Sequence, residues 1–171
     1  MKILNIPELR FLKVALEKNL HANFNFEYLE KSNAIATLIL NNSETKTLLV
    51  NQYRPGAKKK IFEIPAGLID EGEEPIQTLY REVREETGFE KEDYEIIYDS
   101  TDGFFVSPGY TTEKIYLYII KLKSDDIQPK ELKLDEGEVL FSKWFNISEV
   151  ESISNDMKTI FTLNIYKNIK G

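Results

Sequence analysis

Glu82, Glu85 and Glu86 stand at i, i+3 and i+4 in a segment where Ile76, Leu79, Tyr80 and Val83 recur at helical spacing. A helix of that period carries the three carboxylates on one face and the apolar residues on another. Like charges so spaced repel, by roughly a few tenths of a kcal/mol per pair on an isolated helix. A hard divalent cation removes that penalty, because Mg²⁺ prefers oxygen ligands and completes its shell with water and phosphate. A solvated charged helix face has the same spacing, so the triplet alone leaves both readings open.

The rest of the chain narrows the chemistry by exclusion. Its 171 residues contain no Cys and one His, His21. Disulfides, thiol nucleophiles, Cys-ligated zinc and multi-histidine metal sites are therefore excluded, and a Ser-His-Asp triad is disfavoured. Carboxylate chemistry is left. With 22 Lys+Arg against 29 Asp+Glu the formal net charge is −7, which argues against nucleic acid as the main partner. An apolar content of 42% is too high for a disordered chain, and no apolar run approaches the roughly 18 residues of a membrane span. The N-terminus lacks the long apolar stretch of a signal peptide, so a cytoplasmic location is expected.

The elements that must position the carboxylates follow from period and punctuation. Ala34 to Leu40 and Thr47 to Tyr53 read as strands joined through the polar NNSETK as a hairpin, and IFEIPAG reads as a short strand ending at Pro65. Pro75 suits a first helical position and Gly88 a C-terminal cap, which bounds the helix carrying the glutamates. Strands resume at YEIIYDS, at Glu113 to Lys123 and at Val139 to Phe145. Ser148 and Glu151 suggest a capping box, and Met157, Ile160, Phe161 and Ile165 suggest a C-terminal helix with one apolar stripe. From Phe11 to Tyr28 the apolar residues are scattered. Phe24, Phe26 and Tyr28 alternate, which predicts a strand face packed on a core. Strands flanking a central helix, with a second helix at the end, indicate an α/β sandwich.

The wider pattern decides between the two readings of the triplet. Residues 67 to 89, GLIDEGEEPIQTLYREVREETGF, resemble the Nudix box at every position: Gly67, Glu73, Arg81, Glu82, Val83, Glu85, Glu86, Gly88 and Phe89. So many set residues at set spacing make this a specific signal, unlike a lone glycine fingerprint. The resemblance implies a Nudix-type α/β/α sandwich with a mixed sheet over residues 34–171, preceded by an N-terminal strand segment, 1–33. It also implies that Glu82, Glu85, Glu86 and the Ala66 carbonyl hold Mg²⁺ or Mn²⁺, and that Arg81 pairs with Glu73 to fix the loop. Gly67 would allow the carbonyl before it to approach the metal through backbone freedom.

QYRPG with IFEIPAGLIDEGE, SPGYTTEK (Ser107 to Lys114) and DMKTIFTL resemble the ADP-ribose pyrophosphatase branch of this family. In that branch Arg54 would contact the diphosphate, a task that suits a fixed fork of donors. Lys58, Lys59 and Lys60 read as a solvated basic loop. In the acidic loop LDEGEVL, Glu136 would be the base and Glu138 a supplementary ligand or alternate base. Glu136, Glu138 and Glu85 thus form the expected catalytic set. The branch is commonly homodimeric, with N-terminal strands reaching the partner's nucleoside pocket, where Phe26 or Tyr28 would stack on the base. The expectation is Mg²⁺-dependent hydrolysis of ADP-ribose to AMP and ribose 5-phosphate. Another nucleoside diphosphate sugar such as GDP-mannose is the near alternative, and a non-catalytic nucleotide-binding module the remote one.

Overall fold

The computed structural model describes residues 2–4, 6–9, 12–134 and 140–171. Three N-terminal strands, β1 (Lys2–Leu4), β2 (Lys13–Lys18) and β3 (Asn25–Glu30), pair antiparallel in the order β1-β2-β3. Then come β4 (Ala34–Leu40), β5 (Lys46–Arg54), β6 (Lys59–Glu63), β7 (Ala66–Leu68) and helix α1 (Pro75–Thr87). The chain continues through β8 (Tyr94–Asp99), β9 (Phe104–Phe105), β10 (Lys114–Leu122) and β11 (Phe141–Asn146) to α2 (Val150–Ile153) and α3 (Met157–Lys170).

The second sheet runs β11-β5-β4-β10-β8, with β6 on β5, β7 on β4 and β9 on β10. The β4 and β10 strands are parallel and their other pairings antiparallel, so the sheet is mixed as expected. Strand β4 is buried along its whole length, which is why it reads as an apolar run interrupted only by Thr37. Its Ile35 and Ile39 pack with Leu79 and Val83 of α1, while Ala36, Leu38 and Leu40 pack with Leu163 and Tyr166 of α3. The sheet is therefore the middle layer of an α/β/α sandwich.

One irregularity places the site. Strands β4 and β5 pair only at Ile39↔Leu48 and Leu40↔Thr47. Beyond that, residues 59–68 supply partners to both: β6 pairs with β5, and after Pro65 β7 pairs with β4. IFEIPAG is thus two strands split by a proline, and the second lies beside α1. Helix α1 begins with Pro75 at its first position, where the Glu74 amide donates to Gln77 Oε1 at 2.9 Å. It ends at Gly88, whose φ of 78° is the left-handed conformation glycine tolerates.

Three expectations need correction. The capping box pairs Asn146 with Glu149, not Ser148 with Glu151, and it opens a single 3-10 turn. Helix α3 is capped instead by Asp156, whose side chain accepts from the Thr159 amide. The buried side of α3 is Thr159, Thr162, Leu163 and Tyr166, with Met157 and Phe161 exposed. Thr159 and Thr162 enter the interior because their hydroxyls donate to Asp156 and to the Lys158 carbonyl, so the apolar residues alone misplace the face. Phe24 and Phe26 are 62% and 52% exposed and Tyr28 is half-buried, so among the described residues this face is not packed on a core. Among the described residues, no helix is long and apolar enough to cross a membrane.

Candidate active site

The loop before α1 is closed by one arginine. Glu73 accepts from Arg81 Nη2 at 3.0 Å and Nε at 3.3 Å, from Thr78 Oγ1 at 2.7 Å and from the Asp70 amide at 3.3 Å. The Arg81 hydrogen bond, aided by Thr78 and the amide, outweighs the cost of desolvation and holds the Glu73 carboxyl down at about 2. Arg81 is in turn raised above its already high value, first by Glu73. Its Nη2 also donates to the Leu68 carbonyl at 3.0 Å, tying β7 to the helix.

Arg81 Nη1 reaches Glu82 Oε1 at 2.5 Å and Glu85 Oε2 at 3.3 Å. Asp70, Glu73, Glu82 and Glu85 all lie within ion-pair distance of this guanidinium, a local excess of negative charge. Glu82 lies directly over Gly67, where an added Cβ would stand 1.8 Å from its Cδ. Gly67 is not among the residues with positive φ. Its role is therefore close approach of a side chain, not the backbone freedom expected of it. Glu86 is buried on the same helix. With the Ala66 carbonyl beside Gly67, these glutamates are the oxygen donors that could hold a hard divalent cation. Among the described residues, no three acidic or imidazole side chains stand gathered as a ready metal-holding group, and Glu82 and Glu85 both face Arg81.

Arg54 ends β5, and its Nε donates to Glu63 Oε1 at 2.6 Å. Burial opposes its charge, but the hydrogen bond and charge of Glu63, with the charges of Glu86 and Asp156, raise its pKa. Glu63 is 1% exposed and also accepts from Lys158 of α3. Sequence reasoning missed both Glu63 and Lys158. The available signal was a lone carboxylate inside the apolar run IFEIP.

Phe26 and Tyr28 line a cleft of about 520 Å³ with Glu17, Phe105, Pro108 and Thr111. The Pro108 loop is brought there by backbone bonds, Leu29 N to Tyr110 O at 2.8 Å and Thr112 N to Leu29 O at 3.0 Å. The structure thus gathers the box residues Gly67, Glu73, Arg81, Glu82 and Glu85, with Ala66 next to Gly67 in the chain. It sets Arg54 within the field of Glu86, and gives Phe26 and Tyr28 a cleft with residues outside the box. Lys58, Lys59 and Lys60 are exposed. Glu136 and Glu138 lie outside the described residues. The segment leading to them is fastened to the end of α1: Lys130 N donates to Gly88 O at 2.9 Å, Lys133 N to Glu85 O at 3.1 Å and Arg84 Nη1 to Glu131 O at 2.8 Å.

The chain is similar to several known proteins. The methanol dehydrogenase activator of Bacillus methanolicus is 41% identical over 95 residues, 56% of this chain and 49% of that protein. The ADP-ribose pyrophosphatase of Bacillus subtilis is 34% identical over 110 residues, 64% of this chain and 57% of that one. The chain thus spans about half the length of these relatives. A crystal structure of an ADP compounds hydrolase superposes with a TM-score of 0.73 at 21% identity, covering 98% of this chain and 92% of the other, which is a likeness of fold. The NUDIX domain pattern matches residues 31–165, and on that span, with every box residue in place, the chain belongs to the Nudix family.

Proposed function

We propose that this chain hydrolyses the diphosphate of ADP-ribose, giving AMP and ribose 5-phosphate, with Mg²⁺ or Mn²⁺ as cofactor. The observation that carries the reading is the packing of Glu82 onto Gly67 beside Glu85 and Glu86, in a loop closed by Arg81 and Glu73. The ADP-ribose pyrophosphatase among the relatives supports the substrate. Glu82, Glu85, Glu86 and the Ala66 carbonyl would hold the ion. When bound, such an ion neutralises diphosphate charge and lowers the pKa of a coordinated water.

The chain's own residues do the rest. Arg81, through Glu73 and the Leu68 carbonyl, holds the loop against the helix. Arg54 binds the diphosphate as a fixed fork of donors. Glu136, with Glu138 as alternate, takes the proton of the attacking water as its oxygen bonds to one phosphorus and the bridging P–O bond breaks, and Glu85 completes the catalytic set. Phe26 or Tyr28 stacks on the base in the cleft shared with Pro108. Residues 34–171 form the catalytic domain, and residues 1–33 contribute a contact between two copies in a homodimer located in the cytoplasm.

A product panel with Mg²⁺ across ADP-ribose, GDP-mannose and diadenosine polyphosphates tests the reading. AMP and ribose 5-phosphate from ADP-ribose, abolished by chelation, are expected. Glu86→Gln is expected to remain folded and to lose more than about a hundredfold in kcat. Wild-type turnover in folded Glu86→Gln, or preferred cleavage of another substrate, contradicts it.

A further inference from the structure

Three stretches distant in sequence meet: Arg54 at the end of β5, Glu63 at the end of β6, and Asp156 to Thr159 at the start of α3. Glu63 uses both oxygens, Oε1 accepting from Arg54 Nε at 2.6 Å and Oε2 from Lys158 Nζ. Lys158 Nζ also donates to Asp156 Oδ1 at 3.0 Å. Asp156 Oδ2 accepts from Thr159 N at 2.9 Å and Thr159 Oγ1 at 2.6 Å. The circuit closes where the amide of Ile64, next to Glu63, donates to Thr159 Oγ1 at 2.9 Å. Ser154 Oγ adds a bond to the Phe62 carbonyl at 2.6 Å.

Two features set this circuit apart from an ordinary buried ion pair. Burying a carboxylate between two cations is a poor way to gain stability, because well-packed apolar groups do as well without the desolvation cost. The circuit also ends on a guanidinium that is 41% exposed and lies within the field of Glu86. Glu63 engages Nε, one of the five N–H donors of an arginine, so the contact fixes the plane of the fork without consuming it.

We propose that Glu63 is a positioning residue for the diphosphate site: anchored by Lys158 and the α3 cap, it presents Arg54 to the substrate. This rests on the reading of Arg54 as a diphosphate ligand, and neither Glu63 nor Lys158 touches substrate.

A double-mutant cycle with ADP-ribose and Mg²⁺ tests it. Glu63→Gln is expected to raise KM about tenfold while kcat stays within about threefold, and to add nothing in an Arg54→Ala background. Lys158→Met is expected to reproduce the KM effect and Lys158→Arg to restore it. Equal fractional losses from Glu63→Gln in both backgrounds overturn the proposal, as does an unchanged KM in folded Glu63→Gln. A second readout is independent of turnover. The Arg54 Nε–H resonance, assigned through Arg54→Lys, is expected to exchange slowly with solvent in the wild-type protein. Fast exchange there overturns the proposal even if the variants fail to fold. A wild-type protein that cleaves no member of the panel but protects this proton removes the functional reading and leaves the anchoring intact.

Discussion

Glu82 occupies the space that any side chain at position 67 would need. The clash is with the Glu82 side chain, Cγ as well as the carboxylate, and not with backbone, so Gly67→Ala should still fold, with a lowered Tm, while Glu82 is displaced. The Mg²⁺ concentration for half-maximal activity should then rise by roughly tenfold or more, read from a metal titration of turnover. An unchanged Mg²⁺ requirement would remove Glu82 from the donor set. At this scale the box glutamates were legible because i, i+3 and i+4 is a helical spacing that needs no tertiary knowledge. Glu63 and Lys158 were not, since their partners come from separate elements 95 positions apart. The reason for Gly67 was also hidden, because its neighbour is a side chain from another element and not a property of its own φ.

Among the elements, the β4–β5 hairpin is pinned to the end of α3 by one turn residue. Glu44, at φ 54°, accepts from Tyr166 Oη at 2.8 Å and pairs with Lys170 at 2.5 Å and Lys121 at 3.3 Å. The Lys170 hydrogen bond, against desolvation and with help from Tyr166 and Lys121, holds its carboxyl down at about 2 instead of 4.5. A folded-state value below the unfolded one gives stability that is present above about pH 4.5 and lost as the pH falls towards 2. Glu44→Gln should therefore flatten the acid limb of Tm against pH, lowering Tm by roughly 2–4 °C at pH 7 and converging with wild type near pH 2, as scanning calorimetry would record. Parallel curves would contradict the pin. The sequence located α3 but turned it the wrong way, because threonines whose hydroxyls find local acceptors count as interior residues. It missed β1, β2 and β9, which are short or lack a clear alternating pattern.

For the whole molecule, a net charge of −7 is compatible with the proposed diphosphate substrate, since divalent ions held by the box glutamates would reverse the local sign. Leu20 and Phe24 in the β2–β3 turn and Phe26 in β3 are exposed, and the proposed homodimer would cover them. Sedimentation at micromolar concentration should give a dimer, and Phe26→Glu should shift it to monomer while raising KM for ADP-ribose; a wild-type monomer would refute the pairing. The sandwich itself was legible from strand runs and one bounded helix. The parallel pairing of β4 with β10 is a different matter, because its partners are separated by 81 positions, as Ile115↔Ala34 illustrates. Its consequence concerns time. At about 5–20 residues per second, the ribosome needs roughly 4–16 s to supply the central strand's neighbour. Residues Tyr118, Ile120 and Leu122, which cover the apolar side of α1, arrive only with β10. The central strand is therefore made early and paired late, and that interval is when a nascent chain is most open to aggregation or capture by a holding chaperone.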